Sequence, residues 1–225
     1  MLCAMALLST ATDLTDAAVD AAADALARRG DPGAQVLGRV FNQVVDRSQK
    51  GIDHARGGLE ADAITQHFFA DLSASMTAAH GGAVDMAMGL SGPAVAETNL
   101  LLCLQNTVAP PPPPGAHLKR MSILRKRPDV SPEAFQEQWF ELHALLVRRL
   151  AGLSGYRQSL VLDGPRDETG ALLADGMVEL WFPDAAAIEA AFRSDVGTTT
   201  MTHAREFIAE ISTWLVRPVT VSGVS

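Results

Sequence analysis

The sequence predicts a mixed α+β fold built from two successive halves that share one order of elements, β-α-β-β-α-β. Three observations support this prediction: a proline run near the middle, clear strand and helix patterns after it, and a weak repeat across it. The five prolines at 110–114 cannot continue a helix or a central strand, so they favour a stiff spacer. The predicted division is a first half at 1–109, a proline-rich linker at 110–116 and a second half at 117–225.

The second half has the clearer pattern. Ser131 is a good N-cap and Pro132 suits a first helical position, so a helix is predicted to begin there. Phe135, Trp139, Leu146 and Leu150 then recur at helical spacing. The predicted elements are a strand at 118–126, a helix at about 132–150, strands at 156–163 and 176–182, helices at 185–194 and about 201–211, and a strand at 213–221. That order is the ferredoxin-like split βαβ motif.

The first half repeats this order less sharply. Its predicted elements are a strand at 2–9, a helix from Thr15 to about 30, strands at 34–45 and 64–69, a helix at 71–80 and a strand at 98–108. Segment 66–71 aligns with 179–184, and 107–108 aligns with 220–221, both at an offset of 113 residues. A four-stranded sheet with helices on one face must bury its other face. We therefore expect the two sheets to pack face to face, as an intramolecular version of a dimeric α+β barrel.

Two segments of the second half carry a family resemblance. One runs from the strand K-R-M-S-I-L-R-K at 119–126, through a Ser-capped helix with Phe135, Trp139 and His143-Ala144, to Tyr156. The other is D-G-M-V-E-L-W-F at 175–182. Together they resemble the EthD family over about 117–221. The first half keeps the topology but lacks the Trp…His helix and has Gln66 in place of Glu179, so it resembles a degenerate copy.

The resemblance implies a dimeric α+β barrel with a hydrophobic pocket. Members of the EthD family accompany the degradation of ethers and other xenobiotics. Relatives act on polyketide or other aromatic intermediates as dehydratases, decarboxylases or cyclases. The resemblance implies no universal cofactor.

His143 is the leading catalytic candidate. It follows Trp139 by four residues, which places it on or beside the apolar stripe of the predicted helix. Histidine is the side chain that changes charge near neutral pH, so at a pocket wall it can act as a general base or acid. The competing interpretation is a core histidine that bonds to the backbone.

Glu179 is the second catalytic candidate. Strand alternation puts Met177, Glu179 and Trp181 on one face, and we expect that face to line the barrel interior. Burial would raise the pKa of this carboxyl unless a cation pairs with it, and Arg120 is the expected partner. The alternative is a purely structural Arg–Glu pair between strands.

Five residues are predicted to bind substrate. Arg120 and Ser122 share a strand face, and Tyr156 could donate a phenolic hydrogen bond to a substrate oxygen. Trp139 and Trp181 suit an aromatic-lined pocket. Tyr156 and the two tryptophans have a plainer interpretation as packing residues.

Composition limits the classes of molecule that the protein is expected to bind. The chain is 48% hydrophobic and 20% charged, with a net charge of −8 and no long basic stripe, which argues against nucleic acid and anionic membranes. Because we find neither a signal peptide nor an apolar span of membrane length, we expect a cytoplasmic protein. No metal-ligand spacing or phosphate-binding loop is present, so we expect neither a metal nor a cofactor. A hydrophobic small molecule is the expected partner, and a homodimer of pseudo-dimers is left open.

The leading functional hypothesis is a cofactor-independent enzyme that uses acid–base catalysis on a hydrophobic, oxygenated small molecule. A lyase-type reaction such as dehydration, decarboxylation or cyclisation is expected, with His143 and Glu179 as catalytic residues. One alternative is a cofactor-free monooxygenase of the same fold. Another is a non-catalytic accessory protein that binds a metabolite.

Overall fold

The computed structural model describes residues 1–28, 36–71, 73–74 and 95–222. The strands are β1 (Leu2–Thr10), β2 (Val36–Asp46), β3 (Ala63–Phe69), β4 (Val95–Ala109), β5 (Leu118–Lys126), β6 (Gly155–Asp163), β7 (Gly176–Phe182) and β8 (Ile208–Ser222). The helices within these ranges are α1 (Asp16–Arg28), α2 (132–147), α3 (Ala185–Arg193) and α4 (Asp195–Phe207). Most of the helix predicted at 71–80 lies outside the described residues.

The strands close into an antiparallel barrel in the order β1-β3-β2-β8-β5-β7-β6-β4. Each half contributes four adjacent strands with the same internal order, so β4-β1-β3-β2 in the first half corresponds to β8-β5-β7-β6 in the second. The halves join at two seams, where β2 pairs with β8 and β4 pairs with β6. The predicted fold class, two ferredoxin-like halves that form an α+β barrel within one chain, is confirmed.

The two halves also share their strand register. Leu2 lies opposite Phe69 in the first half, and Leu118 lies opposite Phe182 in the second. Phe69 and Phe182 are 113 residues apart, which is the offset at which Gln66 aligns with Glu179. The weak repeat in the sequence therefore corresponds to equivalent positions in the two sheets.

Side-chain alternation divides the sheet into an inner and an outer face. The inner face is mostly apolar and includes Met5, Met121, Met177 and Trp214. The outer face of the second half packs under α2, α3 and α4 in a separate apolar layer. The outer face of the first half packs largely under the alanine-rich α1. A molecule bound inside the barrel would therefore be separated by the sheet from one bound under the helices.

Helix α2 begins as predicted, because the Ser131 hydroxyl accepts a hydrogen bond from the Ala134 amide at 3.2 Å. It has three parts: an α-helical start at Pro132–Glu137, a π-helical turn at Gln138–His143 and an α-helical end at Ala144–Val147. The predicted end at 150 is slightly too late. A hydrophobic period does not distinguish a π-helical turn from an α-helical one, so the sequence did not reveal this segment.

The boundaries of the last helix differ more from the predicted ones than those of α2 do. Helix α4 begins at Asp195, because the Ser194 hydroxyl caps it by accepting from the Gly197 amide at 3.1 Å. It ends at Phe207, and residues 208–212 pair with β5 instead of continuing the helix. The prediction of a helix at 201–211 was therefore wrong at both ends, since partners that are distant in sequence decide where β8 begins.

None of the helices in the described part of the chain is both long and apolar enough to cross a membrane.

Candidate functional site

A small cavity of about 40 Å³ lies between the outer face of the second-half sheet and the helices that cover it. Its lining is apolar except for a few side chains that can hydrogen-bond, and we call it the helix–sheet pocket. It is lined by Ile52, Ser122, Leu124, His143, Val147, Tyr156, Val178, Leu180, Phe192, Thr200, Met201, Ala204, Ile208 and Ile211. Small-molecule pockets usually measure about 300–1,000 Å³, so a ligand can enter only if the covering side chains move apart.

A larger groove of about 430 Å³ opens on the surface beside this pocket and shares Ile208 with it. The four charges of the groove already pair within it, Arg127 with Asp129 and Arg205 with Asp53. The smaller pocket is the better candidate site, because it contains the histidine and the tyrosine predicted from the sequence.

His143 belongs to a hydrogen-bonded chain of three side chains. Its Nδ1 lies 3.2 Å from Nδ1 of His203, and Nε2 of His203 lies 3.2 Å from the side-chain oxygen of Gln138. An amide oxygen only accepts, so Nε2 of His203 donates, and in the tautomer that continues the chain Nδ1 of His203 accepts. His143 must then donate through Nδ1, which leaves the lone pair on its Nε2 free. None of the described residues bonds to this nitrogen.

Burial controls the charge of His143. The ring is only 7% exposed, its plane is nearly parallel to that of the hydrogen-bonded His203 ring, and it meets the Phe207 ring edge to face. Burial, together with His203 and His54, lowers the pKa of His143 to about 3. His143 is therefore neutral at physiological pH and presents an unprotonated nitrogen.

Tyr156 forms a second polar position in the pocket. Its hydroxyl accepts a hydrogen bond of 2.8 Å from the Gln158 side-chain amide, which also donates to the backbone oxygen of Trp139 at 2.8 Å. Burial raises the pKa of Tyr156, so the phenol keeps its proton at neutral pH. The bond to the Trp139 carbonyl ties the π-helical turn of α2 to strand β6.

Ser122 lies on the pocket floor and connects to a buried cation. Its hydroxyl is 2.6 Å from the hydroxyl of Thr213, directly opposite on β8. Arg120 donates to that Thr213 hydroxyl at 3.3 Å and to the backbone oxygen of Gln49 at 2.8 Å. The guanidinium also lies over the Phe192 ring, with its central carbon 4.6 Å from the ring centre.

Glu179 occupies a different environment, inside the barrel. Its carboxylate pairs with Lys119 at 2.5 Å and accepts hydrogen bonds from Gln66 at 3.0 Å and Gln105 at 3.4 Å. Lys119 also donates to Gln66 at 2.8 Å and to Asn42 at 3.0 Å. We call these five side chains the interior polar cluster. Burial lowers the pKa of Lys119, although Glu179 opposes that shift.

The predicted pairing of Arg120 with Glu179 was wrong. Glu179 lies directly opposite Met121 on β5, so it shares a sheet face with Lys119 and not with Arg120. The sequence identified the two faces of each strand, but not which face of β5 looks inward.

The structure also separates His143 from Glu179, because the second-half sheet lies between the helix–sheet pocket and the interior polar cluster. Trp181 is on the inner face near Lys119, whose ammonium lies 5.2 Å from the ring centre. Trp139 packs against Gly176 and is not among the lining residues. Of the seven predicted site residues, only His143, Ser122 and Tyr156 line the pocket, and Arg120 reaches it through Thr213.

Several residues of this site were not singled out from the sequence. His203 and Gln138 orient His143, yet they lie 60 and 5 residues from it in the chain. Ile52 comes from a first-half loop that packs beside β8, where the Ile211 amide donates to the Ala55 carbonyl at 2.8 Å. The first half therefore contributes to the pocket lining, although its sequence resembles a degenerate copy of the second half.

Among the described residues, no group of three His, Cys, Asp or Glu side chains is arranged to hold a metal ion.

The fold and the pocket define a class of protein, the α+β barrels made from two ferredoxin-like halves, here joined in one chain. Within this class, residues 127–210 match the family model of the EthD domain. The resemblance of the second half to the EthD family is thus confirmed, over a shorter stretch than the expected 117–221. No curated protein sequence matches the chain at a significant level.

Two solved structures of low sequence identity share the architecture of the whole chain. A "putative monooxygenase" from Fusobacterium nucleatum has a TM-score of 0.61 at 9% identity and covers 98% of this chain and 92% of its own. An "anthrone oxidase-like protein" has a TM-score of 0.60 at 12% identity, covering 99% and 94%. An EthD family protein from Bacillus halodurans covers 48% of this chain and 99% of its own, at 21% identity and a TM-score of 0.35. At these identities the first two similarities show the fold alone.

Proposed function

We propose that this protein is an enzyme that removes a proton from an apolar, oxygenated small molecule in the helix–sheet pocket, with His143 as the base. The observation that carries this proposal is the chain from Gln138 through His203 to His143, which leaves the lone pair of Nε2 free. A base that is held in one tautomer with a free lone pair can take a proton from a ligand once the ligand oxygen that becomes negative is stabilised.

The lining indicates the kind of substrate. Aliphatic and aromatic side chains form most of the wall, which favours an apolar ring or chain. The hydroxyls of Ser122 and Tyr156 can bond to substrate oxygens. The carboxylate of Glu179 faces the barrel interior, so we assign it to the interior polar cluster and not to the reaction.

The reaction proposed first is a lyase-type elimination. Nε2 of His143 takes a proton from the carbon beside a carbonyl, and the electrons of that bond move onto the carbonyl oxygen. The enolate electrons then form a carbon–carbon double bond as the bond to a hydroxyl group on the next carbon breaks. The protonated ring gives its proton to that hydroxyl group, which leaves as water. Protons and electrons balance without a cofactor. The low pKa of His143 favours the second transfer and opposes the first, so the first transfer depends on stabilisation of the carbonyl oxygen.

The second candidate is a cofactor-free oxygenase, in which the same deprotonated substrate reacts with molecular oxygen. The names of two structural neighbours of similar length, one as a monooxygenase and one as anthrone oxidase-like, favour this candidate. Both candidates share proton removal by His143 and differ in whether oxygen is consumed. A non-catalytic binding protein would perform neither reaction.

The test uses a panel of hydroxylated aromatic ketones and anthrone-type phenols, with product formation and oxygen uptake measured in parallel. We expect His143→Gln to lower turnover at least 100-fold, since general base catalysis contributes about 10²–10⁴-fold. His67→Gln is the matched control, because His67 is a buried histidine on the outer face of the first-half sheet. Full turnover in His143→Gln, or no turnover with any panel compound in the wild type, would contradict the proposal.

A further inference from the structure

We propose that Arg120, Thr213 and Ser122 form a hydrogen-bonded relay on the pocket floor, and that this relay binds the oxygen of an enolate or phenolate. This inference rests on the proposed function and adds to it the class of ligand. It assigns Thr213 a role that the strand pattern did not suggest.

The starting point is the buried charge of Arg120. Its side chain is 0% exposed, and no carboxylate in the described part of the chain forms an ion pair with it. Its hydrogen-bond partners are the backbone oxygens of Gln49 and Lys50 and the hydroxyl of Thr213, all of them uncharged. A buried cation is costly unless it is paired, so this region of the pocket floor carries an excess of positive charge.

The direction of the hydrogen bonds carries this charge to the pocket. Thr213 turns its oxygen toward the Arg120 guanidinium, so its hydrogen points away from the cation. The Ser122 oxygen, 2.6 Å from Thr213, is the acceptor available to that hydrogen. Ser122 must then donate its own hydrogen elsewhere, and Ser122 is the member of the three that lines the pocket. Each bond polarises the next, so the Ser122 hydroxyl is a strengthened donor.

The relay complements His143. The pocket has an acceptor, Nε2 of His143, on the helix side and a donor, the Ser122 hydroxyl, on the sheet side. When a ligand gives a proton to Nε2, the electrons of the broken bond remain on the ligand and its oxygen becomes negative. A preoriented donor backed by a buried cation stabilises that oxygen more strongly than it stabilises the neutral ligand. No oxidant or reductant is needed for this step.

The experiment uses 4-nitrophenol as the probe, because its phenolate absorbs visible light and its phenol does not. Absorbance titration of the full-length protein with the probe gives both its affinity and the pH at which the bound probe ionises. We expect the bound probe to ionise at a pH about one unit below that of the free probe, which is a tenfold higher ratio of phenolate to phenol at fixed pH. Absence of binding, or ionisation at the same pH as the free probe, would overturn the relay.

Thr213→Val tests the connection itself, because valine keeps the branched shape while removing the hydroxyl between Arg120 and Ser122. We expect the bound probe to ionise at the same pH as the free probe in Thr213→Val. In Thr213→Ser, which keeps the hydroxyl, we expect it to ionise at the lower pH seen in the wild type. Ser122→Ala removes the final donor and should also abolish the shift. If Thr213→Val ionises the probe as the wild type does, the relay is wrong.

His143→Gln separates this inference from the proposed function. At a pH where the free probe is already ionised, the relay should still bind phenolate in His143→Gln, whereas Thr213→Val should bind it about tenfold more weakly. Loss of turnover in His143→Gln with unchanged phenolate binding in Thr213→Val would contradict only the relay. Unchanged turnover in His143→Gln with weakened phenolate binding in Thr213→Val would contradict only the catalytic role of His143.

Discussion

At the residue scale, burial determines which groups in the helix–sheet pocket can donate and which can accept. Burial lowers the pKa of His143 to about 3, raises the pKa of Tyr156 and lowers that of Arg120 to about 9. At neutral pH the histidine is therefore neutral, the phenol is protonated and the guanidinium keeps its charge. The pocket contains one free base and several donors before any ligand arrives.

The neutral His143 should make the protein sensitive to acid. The unfolded chain protonates this ring near its ordinary pKa of 6.5, whereas the folded protein holds it neutral down to about pH 3. Its contribution to the free energy of unfolding is therefore complete above pH 6.5 and is lost as the pH falls toward 3. By linkage, protonation of this residue alone should lower the free energy of unfolding at pH 5 by about 2 kcal/mol relative to pH 7.

Urea unfolding at pH 7 and pH 5 measures this effect. We expect His143→Gln to lose about 2 kcal/mol less than the wild type between the two pH values, because glutamine does not titrate. The free energy of unfolding of the variant should still fall somewhat between pH 7 and pH 5, since burial lowers the pKa of His67 to about 4 as well. Equal losses in the variant and the wild type would show that His143 is not held neutral.

At the element scale, the contact between α2 and β7 depends on one glycine. A Cβ atom at Gly176 would lie 2.5 Å from the Trp139 ring, which is fully buried in the outer core. The ring therefore occupies the space that any other side chain at position 176 would need. Trp139 belongs to the π-helical turn that also contains His143, so this contact helps to place the proposed base.

We predict that Gly176→Ala lowers the free energy of unfolding by about 1–3 kcal/mol, the usual cost of overpacking a core. Because Trp139 must shift, its near-ultraviolet circular dichroism should change too. Gly58→Ala is the matched control, since a Cβ atom there meets nothing within 4 Å. Equal stability of the two variants would mean that Trp139 moves aside without cost.

The first-half loop at 47–60 is hydrogen-bonded to the second half. The buried guanidinium of Arg120 bonds to the backbone oxygens of Gln49 and Lys50, and Gln49 also donates to the Ile211 carbonyl at 2.9 Å. A second-half residue thus holds a first-half loop against the pocket. Substitution of Arg120 would therefore release this loop as well, whereas substitution of Thr213 or Ser122 leaves the bonds to the loop in place.

At the scale of the whole molecule, the interior polar cluster marks the pseudo-twofold relation between the halves. Gln66 and Glu179 occupy equivalent positions, and their side chains bond to each other at 3.0 Å. Equivalent residues meet in this way only on a twofold axis. Two identical second halves would bring two buried carboxylates together there, so the Gln–Glu pair favours pairing of unlike halves within one chain.

A double-mutant cycle tests this arrangement. Gln66→Glu should destabilise the protein by about 3 kcal/mol or more at pH 7, since it adds a buried carboxylate beside Glu179. Relative to the wild type, the loss of stability should shrink as the pH is lowered, because two adjacent carboxylates favour the uptake of a proton. Glu179→Gln should also destabilise, because it leaves Lys119 buried without its ion-pair partner.

The double variant Gln66→Glu/Glu179→Gln should be more stable than either single variant. Lys119 lies 2.8 Å from the side-chain oxygen of Gln66, so the ammonium can pair with a carboxylate at that position. Urea unfolding of all four proteins gives the coupling energy. Additive losses would show that the two positions do not share Lys119.

The sequence by itself determined the order of the strands, the strands at 118–126 and 176–182, the duplication and the EthD resemblance, because alternation, helix capping and turn residues are local signals. It also identified His143, Tyr156 and Ser122, which line the pocket. Only the tertiary structure decided which face of β5 looks inward, and with it that Lys119, not Arg120, pairs with Glu179. It alone brought His203 and Thr213 to the site. Those partners lie 60 and 91 residues from His143 and Ser122, and contacts over such distances depend on sheet closure and helix docking, which no local pattern encodes.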